Sequence, residues 1–234
     1  MLVSLIIFFA TFVQSSVGFG LALIAMPLLV ALLGIRTAAP LVAIVAFAAE
    51  FAILVRYRHA LNLRAVLPLT ITAIVAIPVG VFALRNLDEA LVTTALGIFL
   101  ILYSFYALFS PHVPELAHSW WAYLFGFLAG TLGGAYNTSG PPVIVYGNCR
   151  RWPPEEFKSN LQGFFVVFGL FVIAVHAFSG NFTGDVWSNL LLSLPGIFLG
   201  LVAGFALSRL INADLFRKLV LVLLIILGTM LIIG

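Results

Sequence analysis

The stretch Gly133-Gly134-Ala135-Tyr136-Asn137-Thr138-Ser139-Gly140-Pro141-Pro142 interrupts an apolar run over residues 120–146. Such a run is longer than the ~20 residues that cross the roughly 30 Å hydrocarbon layer of a bilayer, and small and polar residues break it in the middle. A second interrupted run, residues 2–33, lies about 120 residues earlier and is broken by Gln14-Ser15-Ser16-Val17-Gly18-Phe19-Gly20. Uninterrupted apolar runs follow each of them: 38–55, 65–84 and 91–109 after the first, then 164–178, 186–207 and 215–233 after the second.

The same half-chain offset relates Gly80 to Arg85, GVFALR, to Gly204 to Arg209, GFALSR, each just before the run that ends its half. The chain therefore reads as a single transmembrane domain over residues 1–234 built from two repeats, 1–110 and 115–234. Chance similarity of composition between apolar helices is the competing explanation. Matching broken helices in two halves are the sequence signature of a transporter whose site lies at the repeat interface.

Composition agrees with a bilayer setting. Hydrophobic residues make up 63% and charged residues 8%, against roughly a quarter charged in soluble domains. A water-facing surface cannot be assembled from so few charges, and only helices or closed barrels satisfy the backbone in lipid. The expected fold is an all-α membrane protein, a polytopic helical bundle. The formal charge of +3 does not imply nucleic acid, because the Lys and Arg residues are scattered between apolar runs as orientation signals. Tyr57, Trp120, Trp121, Tyr146, Trp152 and Trp187 fit aromatic belts. Cys149 is the single cysteine, so no internal disulfide forms. No metal, nucleotide or flavin motif is present, and no cofactor is expected. The opening MLVSLIIFFATFVQ lacks a basic n-region and a cleavage site and is read as part of the fold.

Two topologies remain open. Residues 2–13 would reach only to the midplane at 1.5 Å per residue, so each broken run could dip in and return as a re-entrant hairpin. Three full spans would then follow in each half, and the second repeat would be inverted. Arg56, Arg58, Arg64, Arg150, Arg151, Lys158, Arg209, Arg217 and Lys218 then share one face, leaving Arg36 and Arg85 on the other. The positive-inside rule makes the first face cytoplasmic. Full crossing by the broken runs shifts this balance only slightly. The hairpin is preferred because unwound backbone at membrane depth is tolerated where it is buried in protein or lines a cavity.

The breaks carry the chemistry. Ser139-Gly140-Pro141 reads as a helix start with Ser or Gly as cap and proline in the first turn. Its unpaired N–H groups and dipole make an anion site near mid-membrane. Gly18 and Gly20 give the first half the equivalent arrangement. Gln14, Ser15, Ser16, Asn137, Thr138 and Ser139 would add neutral hydrogen bonds. Since Pro141 and Pro142 lack N–H groups, the second half must lean on Asn137, Thr138 and Ser139. Close helix packing is the alternative role for these small residues.

Glu50 is the one carboxylate deep in an apolar run. It is a proton-carrier candidate, with an ion pair to an interfacial base as the alternative. His176 lies near the outer end of its run. Arg150, Arg151, Lys158, Asn160 and Gln162 follow the second break; the basic residues either gather anions at the cytoplasmic mouth or serve as orientation signals.

The second break and its continuation, GGAYNTSGPPVIVYGNCRRWPPEEFKSNLQGFF from Gly133 to Phe165, resemble the sulfite exporter TauE/SafE family, as does FVQSSVGFGLALIAMPLL from Phe12 to Leu29. The resemblance covers nearly the whole chain. It implies a transporter of sulfite, thiosulfate and organosulfonates in the inner (cytoplasmic) membrane. Matched residue by residue, the family's glycine-rich segments fall on Gly18 and Gly20 and on Gly133, Gly134 and Gly140, with prolines at Pro27, Pro141 and Pro142. Asn137, Thr138 and Ser139 stand where many members carry glycine.

The leading expectation is thus a secondary transporter whose partners are a small sulfur-containing anion, the lipid bilayer and protons. Two rivals stand beside it. An intramembrane serine hydrolase would use Ser139 and His176, and a passive anion channel would conduct without coupling.

Overall fold

A computed structural model of the protein describes residues 1–109, 115–207 and 213–233, and among them it contains ten α-helices and no strand. Each interrupted run becomes two short helices. Residues 2–33 form α1 (Leu2–Val17) and α2 (Leu21–Leu33), and the second run forms α6 (Trp121–Tyr136) and α7 (Gly140–Cys149). Between and after them lie α3 (Ile35–Tyr57), α4 (Leu63–Asn86), α5 (Glu89–Phe109), α8 (Pro154–Phe178), α9 (Gly184–Leu207) and α10 (Ala213–Ile233). Among the described residues, five helices, α3, α4, α5, α8 and α9, are long and apolar enough to cross a membrane. Ser110, Arg209 and Gly234, which mark the two repeats in the sequence, lie outside the described residues.

The breaks are shorter than the sequence suggests. Gln14, Ser15 and Ser16 remain helical, and the Ser15 and Ser16 hydroxyls, instead of competing for backbone N–H groups, donate to the Thr11 and Phe12 carbonyls one turn back (2.8 and 2.7 Å). The first half-helix therefore runs to Val17 rather than ending near residue 13. Its end is set by Gly18, whose φ of 95° is left-handed and whose N–H returns to Gln14 O at 2.7 Å. Gly20, at φ 112°, turns the chain into α2. Asn137 takes the same left-handed role after α6 (φ 55°), and Pro141 and Pro142 sit in the first turn of α7, where a missing N–H costs no helical bond. α8 in turn begins ten residues before the apolar run 164–178, since its first turns carry Glu155, Glu156, Lys158, Ser159, Asn160 and Gln162.

Glycines spaced four apart determine which helices meet. Gly126, Gly130 and Gly134 of α6 face Leu69, Ala73 and Ile77 of α4, and Gly196, Gly200 and Gly204 of α9 face Ser4, Phe8 and Phe12 of α1. Without side chains at these positions, the backbones approach closely, as in small-residue interfaces of membrane helices. Both pairs run parallel, because residue numbers rise together along each contact. α5 and α10 cross antiparallel where Gly97 meets Gly228. α3 and α8 are also antiparallel, with Glu50 beside Gly169 and Tyr57 beside Ser159.

One end of the bundle is held by polar bonds. The Asn62 N–H donates to Asn160 Oδ1 (2.8 Å), Asn62 Nδ2 to Glu156 Oε1 (2.9 Å) and Ser159 Oγ to Tyr57 O (2.7 Å). Arg150 Nη1 donates to Leu116 O and Ala117 O. Arg56, Arg58, Arg64, Arg150, Arg151 and Lys158 belong to this end, while α3 begins with Arg36 and α4 finishes with Arg85 at the other. Large apolar side chains such as Phe82, Leu102, Phe198 and Leu219 cover the periphery.

Candidate functional site

The two breaks meet. Gln14, Gly20, Ala22 and Leu23 from the first, and Asn137, Thr138, Ser139, Gly140 and Pro141 from the second, line one cavity together with Phe19, Glu50 and Phe165. Its volume is about 30 Å³, room for roughly two waters at ~10–15 Å³ each. An oxyanion of four or more heavy atoms needs more space than that, so this conformation is too tight where the breaks meet to hold one.

The donors are chiefly backbone groups and one amide. The first four N–H groups of a helix lack intrahelical acceptors. In α2, Leu21 N–H is taken by Gln14 Oε1 at 2.9 Å, and Ile24 N–H by Gly20 O. The N–H groups of Ala22 and Leu23 have no acceptor among the described residues and belong to cavity-lining residues. The Leu21 bond also fixes which end of the Gln14 amide is oxygen, since only a carbonyl accepts. Gln14 is 3% exposed, so its Nε2 is a held donor, with no partner among the described residues. Ser139 is 4% exposed, and its hydroxyl, which does not cap α7, makes no hydrogen bond among the described residues.

Other expected donors are already engaged. Asn137 Nδ2 donates to Ala39 O, and Thr138 Oγ1 donates to Tyr136 O at 2.9 Å. These bonds shape the αL turn, and the second half therefore presents Ser139 and the Gly140 backbone rather than three polar side chains. Ser15, Ser16 and Gly18 are not in this cavity at all. The extra helical turn points Ser15 toward α9, where its hydroxyl also reaches Gly200 O (3.2 Å), and all three residues line a separate space described below.

Glu50 reaches the cavity from α3, next to Gly169 of α8. No Lys, Arg or His lines that cavity, and Glu50 forms no ion pair among the described residues. The interfacial-base partner considered for it is not found there. Ser139 and His176 are not brought together. Ser139 lies by Gly133, which Phe168 also touches, while His176 is two turns further along α8, about 12 Å of helix rise. His176 Nδ1 is instead 2.8 Å from Asn181 Nδ2. Phe165 and Gln162 had no role assigned from sequence. A signal for them exists: Lys158, Gln162 and Phe165 recur at i, i+4 and i+7, one face of a helix.

The description sulfite exporter TauE/SafE belongs to the family model that matches residues 3–231. No curated protein and no solved structure matches the chain.

Proposed function

Because the chain belongs to the sulfite exporter TauE/SafE family and is a transmembrane transporter, we propose that it moves small sulfur-containing anions (sulfite, thiosulfate and organosulfonates) across the cytoplasmic membrane by alternating access. The observation that carries this reading is the convergence of two helix N-termini on one small cavity, with Gln14 Nε2, Ser139 Oγ and backbone N–H groups as its donors. Neutral donors hold an oxyanion without a fixed positive charge that would retain it. A standing channel would require a continuous passage, whereas the space between the breaks holds about two waters. Uptake of labelled sulfite, thiosulfate and simple sulfonates into proteoliposomes tests it, and failure to move any of them would remove the substrate class.

The repeats are proposed to be inverted, each opening with a re-entrant hairpin. Helix directions support this. α1 runs with α9 and α6 with α4, while α3 opposes α8 and α5 opposes α10. Following the chain through its short turns, α1 and α3 point the same way, so α2 must return between them, and α7 must likewise return between α6 and α8. Single cysteines in the loops around Arg85 and Arg209, placed in a Cys149→Ser background, are then expected to be labelled from opposite faces. Labelling from the same face would dispose of the inverted arrangement.

Glu50 is proposed as the coupling group. An ionised carboxylate about 5 Å from a bound anion opposes it by ~3 kcal/mol at an effective dielectric constant near 20, a factor of about a hundred in occupancy. Proton uptake by Glu50 would therefore accompany anion binding and couple the two. Glu50→Gln is expected to retain anion exchange but lose accumulation driven by a pH gradient. Unchanged gradient-driven uptake in that variant would end the coupling role.

A further inference from the structure

A second cavity, of about 10 Å³, lies across the Gly18-Phe19-Gly20 turn from the first. Ser15, Ser16 and Gly18 line it on one side, and Ile53, Tyr57, Lys158 and Gln162 on the other. The same two helices wall both spaces: α3 supplies Glu50 and then, one and two turns on, Ile53 and Tyr57, while antiparallel α8 supplies Phe165 and then Gln162 and Lys158. Residues three and four apart share a helix face. The two cavities therefore lie in file between α3 and α8, ending at the face that carries Lys158.

A hydrogen bond lies at their boundary, beside the Gly18-Phe19-Gly20 turn. Gln162 is fully buried, and its Nε2 donates to Gly18 O at 2.6 Å. That bond fixes the amide orientation, and Gln162 Oε1 is left buried with no donor among the described residues. A buried carbonyl without a donor has lost its hydrogen bonds to water and gained none in return. The closed arrangement is thus a poor one for Gln162, which lowers the cost of releasing Gly18. Among the described residues, the charge lining this cavity is the Lys158 ammonium, 6.0 Å from the Tyr57 ring centroid, and no carboxylate lines it.

We propose that this second cavity is an entry-side binding position for the transported anion, reached from the Lys158 face and divided from the central site by the Gln162–Gly18 bond. The proposal rests on the reading of the chain as an anion transporter. Lys158 holds a sulfonate or sulfite-type oxyanion at the mouth. When the Gln162 amide leaves Gly18, its Nε2 becomes a donor to that anion, and one hydrogen bond replaces another as the partition opens.

The test uses the full reconstituted chain with Cys149→Ser and a single cysteine at Ser16→Cys or Ile53→Cys; either position suffices if the other does not fold. Two membrane-impermeant methanethiosulfonates are applied from each face, one bearing a sulfonate and one a trimethylammonium group, with rates normalised to a free thiol. From the Lys158 face the sulfonate reagent is expected to react about tenfold faster, the scale of electrostatic focusing in a charged cleft, and Lys158→Gln is expected to abolish that preference. Equal rates, a preference that survives Lys158→Gln, or no modification from either face would overturn the proposal. Sulfonate flux through the native chain is measured in parallel. Flux with equal reagent rates removes the entry-side position alone, whereas a Lys158-dependent preference without flux removes the transport reading and leaves the binding position standing.

Discussion

Replacing Gln14 with leucine is expected to raise the anion concentration for half-maximal transport about a hundredfold, while the protein stays folded with a lowered melting temperature. Gln14 has two jobs in one amide. Its oxygen caps α2 through Leu21 N–H, and its nitrogen is the one buried side-chain amide donor in the central cavity without a partner among the described residues. Loss of a cap costs about 1 kcal/mol of stability. A hydrogen bond to a charged group is worth roughly 1.5–3 kcal/mol, which at ~1.4 kcal/mol per factor of ten accounts for the hundredfold loss. Transport assays give the first effect and thermal unfolding in detergent the second. A Gln14→Leu protein that transports with native affinity would show that the anion does not bind where the breaks meet.

Gly130→Leu is expected to prevent accumulation of folded protein. A Cβ at this position would collide with the Ala73 carbonyl and lie 2.7 Å from Ala76 Cβ. Neither neighbour is the flexible end of a side chain, so α4 and α6 would have to separate. Overpacking costs about 1–3 kcal/mol where a core can adjust; here Gly126 and Gly134 lock the same contact one turn to either side, leaving little adjustment. Because α6 leads directly into Asn137, the displacement would also carry the second break away from the cavity. Gly184→Ala is the control, since nothing lies within 4 Å of its added Cβ. Yield and size-exclusion profiles of the two variants side by side check the expectation. Comparable monodisperse yields would mean that the α4–α6 glycine contact is not needed for folding.

Much of the architecture could be read without coordinates. Long apolar runs, glycine and proline inside two of them, and the half-chain offset are local or one-dimensional signals, and each reports a constraint that lipid imposes on every segment separately. They located the helices and both breaks, and the expectation that the two breaks face one cavity came from the unpaired N–H groups at each helix start; Glu50 stood out only as the one carboxylate deep in an apolar run, and nothing in the sequence put it beside the breaks. The start of α8 was missed because burial of Ser159, Asn160 and Gln162 depends on partners in Asn62, Tyr57 and Gly18, remote in sequence.

What the sequence alone determined is that this chain is a helical bundle of the membrane with two interruptions carrying polar groups. Which of those groups face the same space was decided only by tertiary structure. One additional helical turn rotated Ser15 and Ser16 out of the central cavity, and bonds to Ala39 and Tyr136 engaged Asn137 and Thr138. The physical reason is angular. Each residue turns a helix by about 100°, so carrying α1 one turn further, to Val17, fixes a separate direction for every side chain in that turn, and only packing against the neighbouring helices decides where the helix ends.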